Sequence, residues 1–388
     1  MRYIIVFLMF TLWACGQNPT KFYRVELEIQ GQKLPFFMEF SGDSVFLING
    51  PERLEVGKLQ SRQDSFVVDL LSFNAELVFK MNPKKISGYW KKLDALDYQI
   101  ALQGEKVSQP KFRTSSPRPF GGKFEVEFIK PDGSRYLALG IFSTQKDQIL
   151  GTFLTSSGDY RYLAGAMEGD SLRLSCFDGT HAYLFKAELK GDSVLGGVFW
   201  SGKNRKLSWR ARRNESFALP EASSLTYLKD NSLGFSFSFP NLQGKTVSSS
   251  DYLGKVLVVQ ILGSWCPNCM DETRFLADFH KRYRSRGFEV LGLAFETAKE
   301  LQAGGPMLKK FSQKLGVEYE MLLVSTPDSA SQALPMLNKV SAFPTSIFID
   351  KKGKVSYIHT GFSGPATGNY YQDWVEDFTL RIEKLLSQ

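Results

Sequence analysis

The sequence predicts two fold classes in series: an all-β region over residues 22–213 and an α/β domain over 232–388, joined by a linker at 214–231. Three observations carry this reading. Up to about Arg213, apolar and polar residues alternate with period two, between Gly- and Asn-containing turns. Beyond the linker, near-continuous apolar runs alternate with stretches of helical spacing. At the junction of one such run with one such helix stands Trp265-Cys266-Pro267-Asn268-Cys269.

The elements follow in order. Arg2 precedes an apolar run, Tyr3 to Leu12, that is too short to span a bilayer and reads as the core of a secretory leader over residues 1–15. The run ends in Leu12-Trp13-Ala14-Cys15-Gly16, which resembles a bacterial lipobox. That resemblance implies acylation of Cys15 and a lipid-anchored, periplasm-facing envelope protein. The alternative is an ordinary leader in which Cys15 is incidental.

From Phe22 onward the alternation is clear in Tyr23–Ile29, Phe124–Phe128 and Ala182–Lys186. Turns divide the runs at Ser41-Gly42-Asp43, Asn49-Gly50-Pro51, Pro131-Asp132-Gly133 and Lys190-Gly191-Asp192. Many short strands with regular turns predict a barrel or sandwich. The region also echoes itself. Asp64-Ser65-Phe66 leading to Val78-Phe79-Lys80 matches Asp170-Ser171-Leu172 leading to Leu184-Phe185-Lys186 at equal spacing. Ile86–Trp90 echoes Leu195–Trp200, and Val25-Glu26-Leu27 echoes Val126-Glu127-Phe128. The expectation is a duplicated meander, closing into one barrel-like unit or pairing as two sheets. Phe73, Trp90, Tyr160, Trp200 and Cys176 are expected in its core.

In the α/β domain, strands are expected at Phe235–Phe239, Lys255–Leu262, Phe288–Phe295, Tyr319–Val324, Thr345–Ile349 and Val355–His359. Helices are expected at Asp271–Arg286, Pro306–Leu315, Ser331–Leu337 and Tyr371–Leu386.

The strand, Cys-x-x-Cys, helix order carries the chemistry. Free N–H groups and the macrodipole at a helix N-terminus stabilise a thiolate at Cys266 and raise its reactivity. Cys269, one turn further in, is placed to attack a mixed disulfide formed at Cys266. Two other readings of the pair exist. Half of a zinc site would need two more ligands, and only Cys15, Cys176, His181, His280 and His359 remain, with no second close pair. A structural disulfide across two residues would close a strained small loop. Neither a metal nor a cofactor is expected beyond the Cys266–Cys269 pair itself.

Composition narrows the partners. Lys and Arg exceed Asp and Glu by 48 to 40, but the basic residues are scattered in short clusters such as Lys84-Lys85 and Lys309-Lys310. This pattern describes solvated faces and not a nucleic-acid footprint. Four cysteines in 388 residues exclude a disulfide-stapled scaffold.

Over about Phe235 to Ser387 the sequence resembles the TlpA/ResA type of thioredoxin-like thiol–disulfide oxidoreductases, within the redoxin superfamily. The resemblance rests on Gly254-Lys255-Val256, Trp265-Cys266-x-x-Cys269, Glu272, Ala342-Phe343-Pro344-Thr345 with the strand after it, and Ile358–Gly368. It implies a thioredoxin-like fold in which Pro344 is cis and its loop faces the cysteines. It also implies that Phe343 offers backbone to an extended substrate, that Trp265 covers the thiols, and that Glu272 moves protons at Cys269. A solvated Glu272 stabilising its own helix is the alternative. The family proline after the acidic position is replaced by Thr273-Arg274, which puts a helix kink in question. The implied activity is protein-disulfide reduction in the envelope, fed by an upstream electron donor and acting for example in cytochrome c maturation. Two other classes remain open. One is a peroxiredoxin-like peroxide reductase, although its Pro-x-x-x-Thr-x-x-Cys loop is missing before Cys266. The other is an envelope binding lipoprotein with an auxiliary redox domain.

Overall fold

In the computed structural model, residues 20–388 are described, apart from 71–73, 94, 96, 113–118, 147, 192 and 231–233. The expected leader with Cys15, and Phe73, lie outside the described residues.

Period-two alternation builds two rings, where one barrel-like unit or a pair of sheets was expected. The first is a closed antiparallel barrel of β1 (Lys21–Ile29), β2 (Gln32–Ser41), β3 (Ser44–Asn49), β4 (Glu52–Arg62), β5 (Ser65–Leu70), β6 (Ala75–Met81), β7 (Lys85–Lys92) and β8 (Gln99–Val107). Strand β1 closes it by pairing with both β2 and β8. The second comprises β9 (Gly122–Ile129), β10 (Arg135–Gln145), β11 (Gln148–Thr155), the two-residue β12 (Gly158–Asp159), β13 (Leu163–Glu168), β14 (Ser171–Phe177), β15 (Ala182–Lys190), β16 (Ser193–Ser201) and β17 (Arg205–Arg213). It closes in the same up-and-down order, because β9 pairs with β10 and β17 while β10 also pairs with β11. Strand β12 is a side branch on β11.

The echoed segments fall on strands of equal rank. With β12 set aside, β1 and β9 are first, β5 and β14 fifth, β6 and β15 sixth, β7 and β16 seventh. Each ring has its own core, filled by inward-facing residues such as Val25, Leu27, Met38 and Trp90 in the first and Phe128, Phe153, Phe185 and Trp209 in the second. Cys176 is wholly buried in the second core. The rings also share a seam. Phe177 packs its ring 4.7 Å from that of Phe36 and 5.1 Å from that of Trp90. This seam explains why β2 buries both of its faces and loses the alternation of a one-sided strand.

After β17 the chain runs to a two-stranded hairpin, β18 (Ser238–Pro240) and β19 (Thr246–Ser248). The expected strand at Phe235–Phe239 shrinks to β18. Phe235 and Phe237 are buried against the sheet without joining a ladder before Ser238. The polar stretch expected as a linker is pinned at its end: Asn338 N–H donates to Tyr227 O and Lys229 N–H to Met336 O, both at 2.9 Å. Composition alone could not reveal this, because these bonds use backbone groups.

The α/β domain has five strands: β20 (Val256–Leu262), β21 (Phe288–Phe295), β22 (Glu320–Ser325), β23 (Thr345–Ile349) and β24 (Val355–Thr360). Their order is β22-β21-β20-β23-β24, with β20, β21 and β22 parallel and the last two antiparallel. Helices are α1 (Pro267–Tyr283), α2 (Ala298–Gln302), α3 (Pro306–Lys314), α4 (Ala330–Ala333) and α5 (Asn369–Leu386). The architecture is thioredoxin-like, as the resemblance implied. Helix α1 begins four residues earlier than the periodicity indicated, because Cys266 itself caps it and Pro267 occupies the first turn. It runs unbroken through Thr273. Among the described residues no helix is long and apolar enough to cross a membrane.

Candidate active site

Strand β20 is buried along its whole length and delivers Gly263, Ser264 and Trp265 to the N-terminus of α1. Gly263 is required here. A methyl group on it would lie 2.3 Å from Nε1 of Trp265, whose indole folds back over the loop. Trp265 Nε1–H donates to Phe295 O at 2.9 Å. Its ring meets Phe343 edge-on, centroids 5.5 Å apart.

Cys266 is the N-cap of α1, in extended conformation. Its Sγ accepts the backbone N–H of Cys269 at 3.2 Å, taking one of the donors that a helix start leaves free. Across the loop, the Cys266 thiol donates to Phe343 O at 3.6 Å. The Phe343–Pro344 bond is cis, and Pro344 O accepts from Gly361 N–H at 2.9 Å. Cys266 is 6% exposed and Cys269 not at all, so of the pair only Cys266 can be reached from outside. Burial, then the bond to Cys266, pushes the Cys269 thiol well up. The two side chains therefore differ in the way that a nucleophile and a resolving thiol must differ.

Glu272, one turn after Cys269, is fully buried, which removes the solvated alternative. It accepts from Gln260 Nε2 at 2.7 Å and from Ser346 Oγ at 2.9 Å. Burial raises its carboxyl to about 7, against the pull of those two donors. Gln260 also accepts from Thr273 Oγ1 at 2.8 Å and lies 3.4 Å from Cys269 O. The replacement of proline at position 273 thus completes a buried polar network.

A second buried carboxyl holds the loop before the motif. Glu296 accepts from Ser264 N–H at 2.7 Å and from Ser264 Oγ at 2.8 Å. Burial raises it, too, to about 7. Sequence reasoning missed Gln260, Ser264, Ser346 and Glu296. A signal existed for one of them: Gln260 is the lone polar residue in Val256–Leu262, and a buried amide needs partners. His280 is buried with Nε2 3.0 Å from Glu289, a packing role apart from the cysteines.

These two carboxyls set a pH dependence. Both bind a proton more tightly folded, near 7, than in the unfolded chain, near 4.5. Between those values the unfolded state holds fewer protons, so stability falls as pH rises. The expected decline from pH 5 to 8 is on the order of 2–3 kcal/mol for each group. Glu272→Gln, which mimics the protonated form, is expected to remove its share. Urea titrations of both proteins at pH 5 and 8 check this; an equal decline in the variant would assign the effect elsewhere.

Residues 234–358 match the AhpC/TSA family. Thiol-disulfide oxidoreductase ResA of Geobacillus kaustophilus (strain HTA426) is 30% identical over 127 residues, 32% of this chain and 66% of that protein. ResA of Bacillus subtilis (strain 168) is 28% identical over 125 residues, 32% of this chain and 64% of its own. The chain thus spans just under two thirds of the length of these relatives. Among solved structures, a thiol:disulfide interchange protein of the thioredoxin family from Chlorobium tepidum TLS is 26% identical, with a TM-score of 0.30, over 39% of this chain and 94% of that one.

Proposed function

We propose, from the premise that residues 234–358 form a TlpA/ResA-like thioredoxin-fold domain, that the chain is a thiol–disulfide oxidoreductase that reduces protein disulfides in the bacterial cell envelope. The observation that carries this reading is Cys266 Sγ, capping α1 by accepting the Cys269 N–H, beside the Phe343–Pro344 loop.

In the proposed cycle the Cys266 thiolate attacks one sulfur of a substrate disulfide. A Cys266–substrate bond forms, and the other substrate sulfur leaves as a thiolate. Cys269 then loses its proton and attacks Cys266 Sγ, which releases the second substrate thiol and leaves a Cys266–Cys269 disulfide. The substrate has gained two electrons, and an envelope dithiol donor must return them to the pair. Glu272 is the acceptor proposed for the Cys269 proton, because its carboxyl, near 7, is poised to exchange one at physiological pH. Trp265 and Phe343, in edge contact, supply apolar surface beside the exchange. Pro267 fixes the first turn of α1. The backbone beside Phe343 is the proposed ledge for extended substrate. Lipid anchoring through Cys15 and a periplasm-facing site belong to the same proposal and rest on the leader sequence.

Reduction of insulin disulfides with a dithiol donor tests the activity. Cys269→Ser is expected to accumulate a mixed disulfide with its protein substrate, visible on non-reducing gels and dissolved by dithiothreitol. Equal accumulation by Cys266→Ser would count against this division of roles. The reduction potential of the pair decides direction: a potential near that of strong oxidants would overturn the reductase reading.

A further inference from the structure

The second ring touches the redox motif directly. Asn268, between the two cysteines, donates from Nδ2 to Asp159 O at 3.2 Å. Gly364 N–H, after β24, donates to Asp159 Oδ2 at 2.7 Å. Three glycines make this approach possible. A methyl group at Gly158 would lie 2.0 Å from Asn268 Nδ2, at Gly361 2.6 Å from Ser156 O, and at Gly364 2.4 Å from Asp159 Oδ2. The seam is therefore built from both sides, and the hairpin at Ser156–Tyr160 packs against Asn268 of the redox motif.

Behind this hairpin a cleft of about 760 Å³ separates the second ring from the redox domain. It reaches Asn268 and Ala342, the residue before Phe343. Lys130, Arg135 and Arg205 line it from the ring, and Lys339 from the loop that leads to Pro344. Against these four cations the lining holds one carboxylate, Asp159, which is committed to the N–H groups of Gly364 and Arg161. Arg135 shares Glu127 with Arg210, while Lys130 and Lys339 form no ion pair among the described residues. The lining is thus cationic on both sides, and Tyr136 and Tyr183 add aromatic surface.

We propose that this cleft binds the polypeptide segment flanking the target disulfide and selects acidic sequence there. The inference rests on the oxidoreductase reading above for its substrate and on charge complementarity for its selectivity. A chain entering along the cleft passes Lys339 and Ala342 and arrives at the Phe343 backbone beside Cys266. The second ring is then a specificity element, and not a spacer.

Two fluorescent peptides of equal length, one flanked by Asp and Glu and one by Lys, with serine in place of cysteine, report binding without chemistry. Fluorescence anisotropy with the full chain is expected to show the acidic peptide bound roughly tenfold more tightly than the basic one. That ratio should collapse toward one in about 0.5 M salt, where exposed charges are screened. It should fall in Lys130→Gln/Lys339→Gln and invert in Lys130→Glu/Lys339→Glu, with circular dichroism of the milder pair confirming the fold. Equal binding of the two peptides by the native chain, or a ratio indifferent to salt and to both variants, overturns the proposal. Turnover of hydroxyethyl disulfide by the native chain reads the redox function separately. Turnover without peptide discrimination removes the cleft's role, and discrimination without turnover retains the cleft and removes the enzyme.

Discussion

Cys266→Ser is expected to lower insulin-disulfide reduction to the uncatalysed rate. This side chain is the only one of the pair with access to substrate, at 6% exposed against zero for Cys269. It is also the helix cap, whose sulfur takes the Cys269 N–H at 3.2 Å. A serine can cap the helix equally well, so the fold should survive while the nucleophile is lost. Measured thermal stability close to that of the native chain, together with absent turnover, is the expected pair of results. Retained turnover would mean that Cys269 can reach substrate unaided, which its burial forbids.

Arg161→Met is expected to destabilise the chain by about 3–5 kcal/mol at neutral pH, the range found when one partner of a buried charge pair is removed. Arg161 is 3% exposed and joins all three units. It pairs with Asp271 on α1, with Glu52 of the first ring at 2.5 Å, and with Asp178 of the second at 3.9 Å. Burial alone would raise the Asp178 carboxyl, but His181 and Arg161 outweigh it and hold that group down to about 2. In the native chain, Asp178 therefore contributes stability above the ordinary carboxylate range, and that share is lost as pH falls toward 2. Without the guanidinium, the Glu52 carboxyl, which burial already raises, loses the cation that holds it down and shifts further up, while Asp178 keeps His181. Stability of the variant should then recover as pH falls, and its gap to the native chain should narrow from pH 7 to 5. Denaturant midpoints at the two pH values check this. An identical gap at both would reduce Arg161 to a packing residue.

The Arg161 junction marks where sequence reading ends. The motif and most strand positions of the redox domain were legible, because each depends on residues adjacent in the chain. The cis proline was legible through the family resemblance, while α1 starts four residues earlier than the periodicity indicates. The closure of the expected barrel-like unit or pair of sheets into two rings was not legible. The echo between β5–β7 and β14–β16 gives the repeat, but closure depends on pairing β1 with β8 and β9 with β17, across most of a ring. Nothing in local alternation specifies such long-range partners. The contacts of Arg161 with Asp271 and of Asp159 with Asn268 span 110 and 109 residues. In sequence, Arg161 is one more basic residue in a turn, and Asp159 one more polar residue in a hairpin. Only the three glycines at 158, 361 and 364 hinted that backbones approach closely, and glycine has too many other uses to be decisive.

Ring closure has a consequence for an enzyme proposed to reduce disulfides in extended chains. Such chains are extended and carry unpaired backbone amides and carbonyls that seek a strand to extend. A sheet with a free rim would recruit them anywhere along its length and invite aggregation. Apart from the two-residue β12, every strand of both rings has a neighbour on each side. The larger scaffold therefore offers an incoming chain almost no ladder to join. Among the described residues, the outermost strands of open sheets belong to the redox domain, where β22 is bridged at Leu322 by Asn241, so backbone capture is steered toward the half of the molecule that holds the thiols.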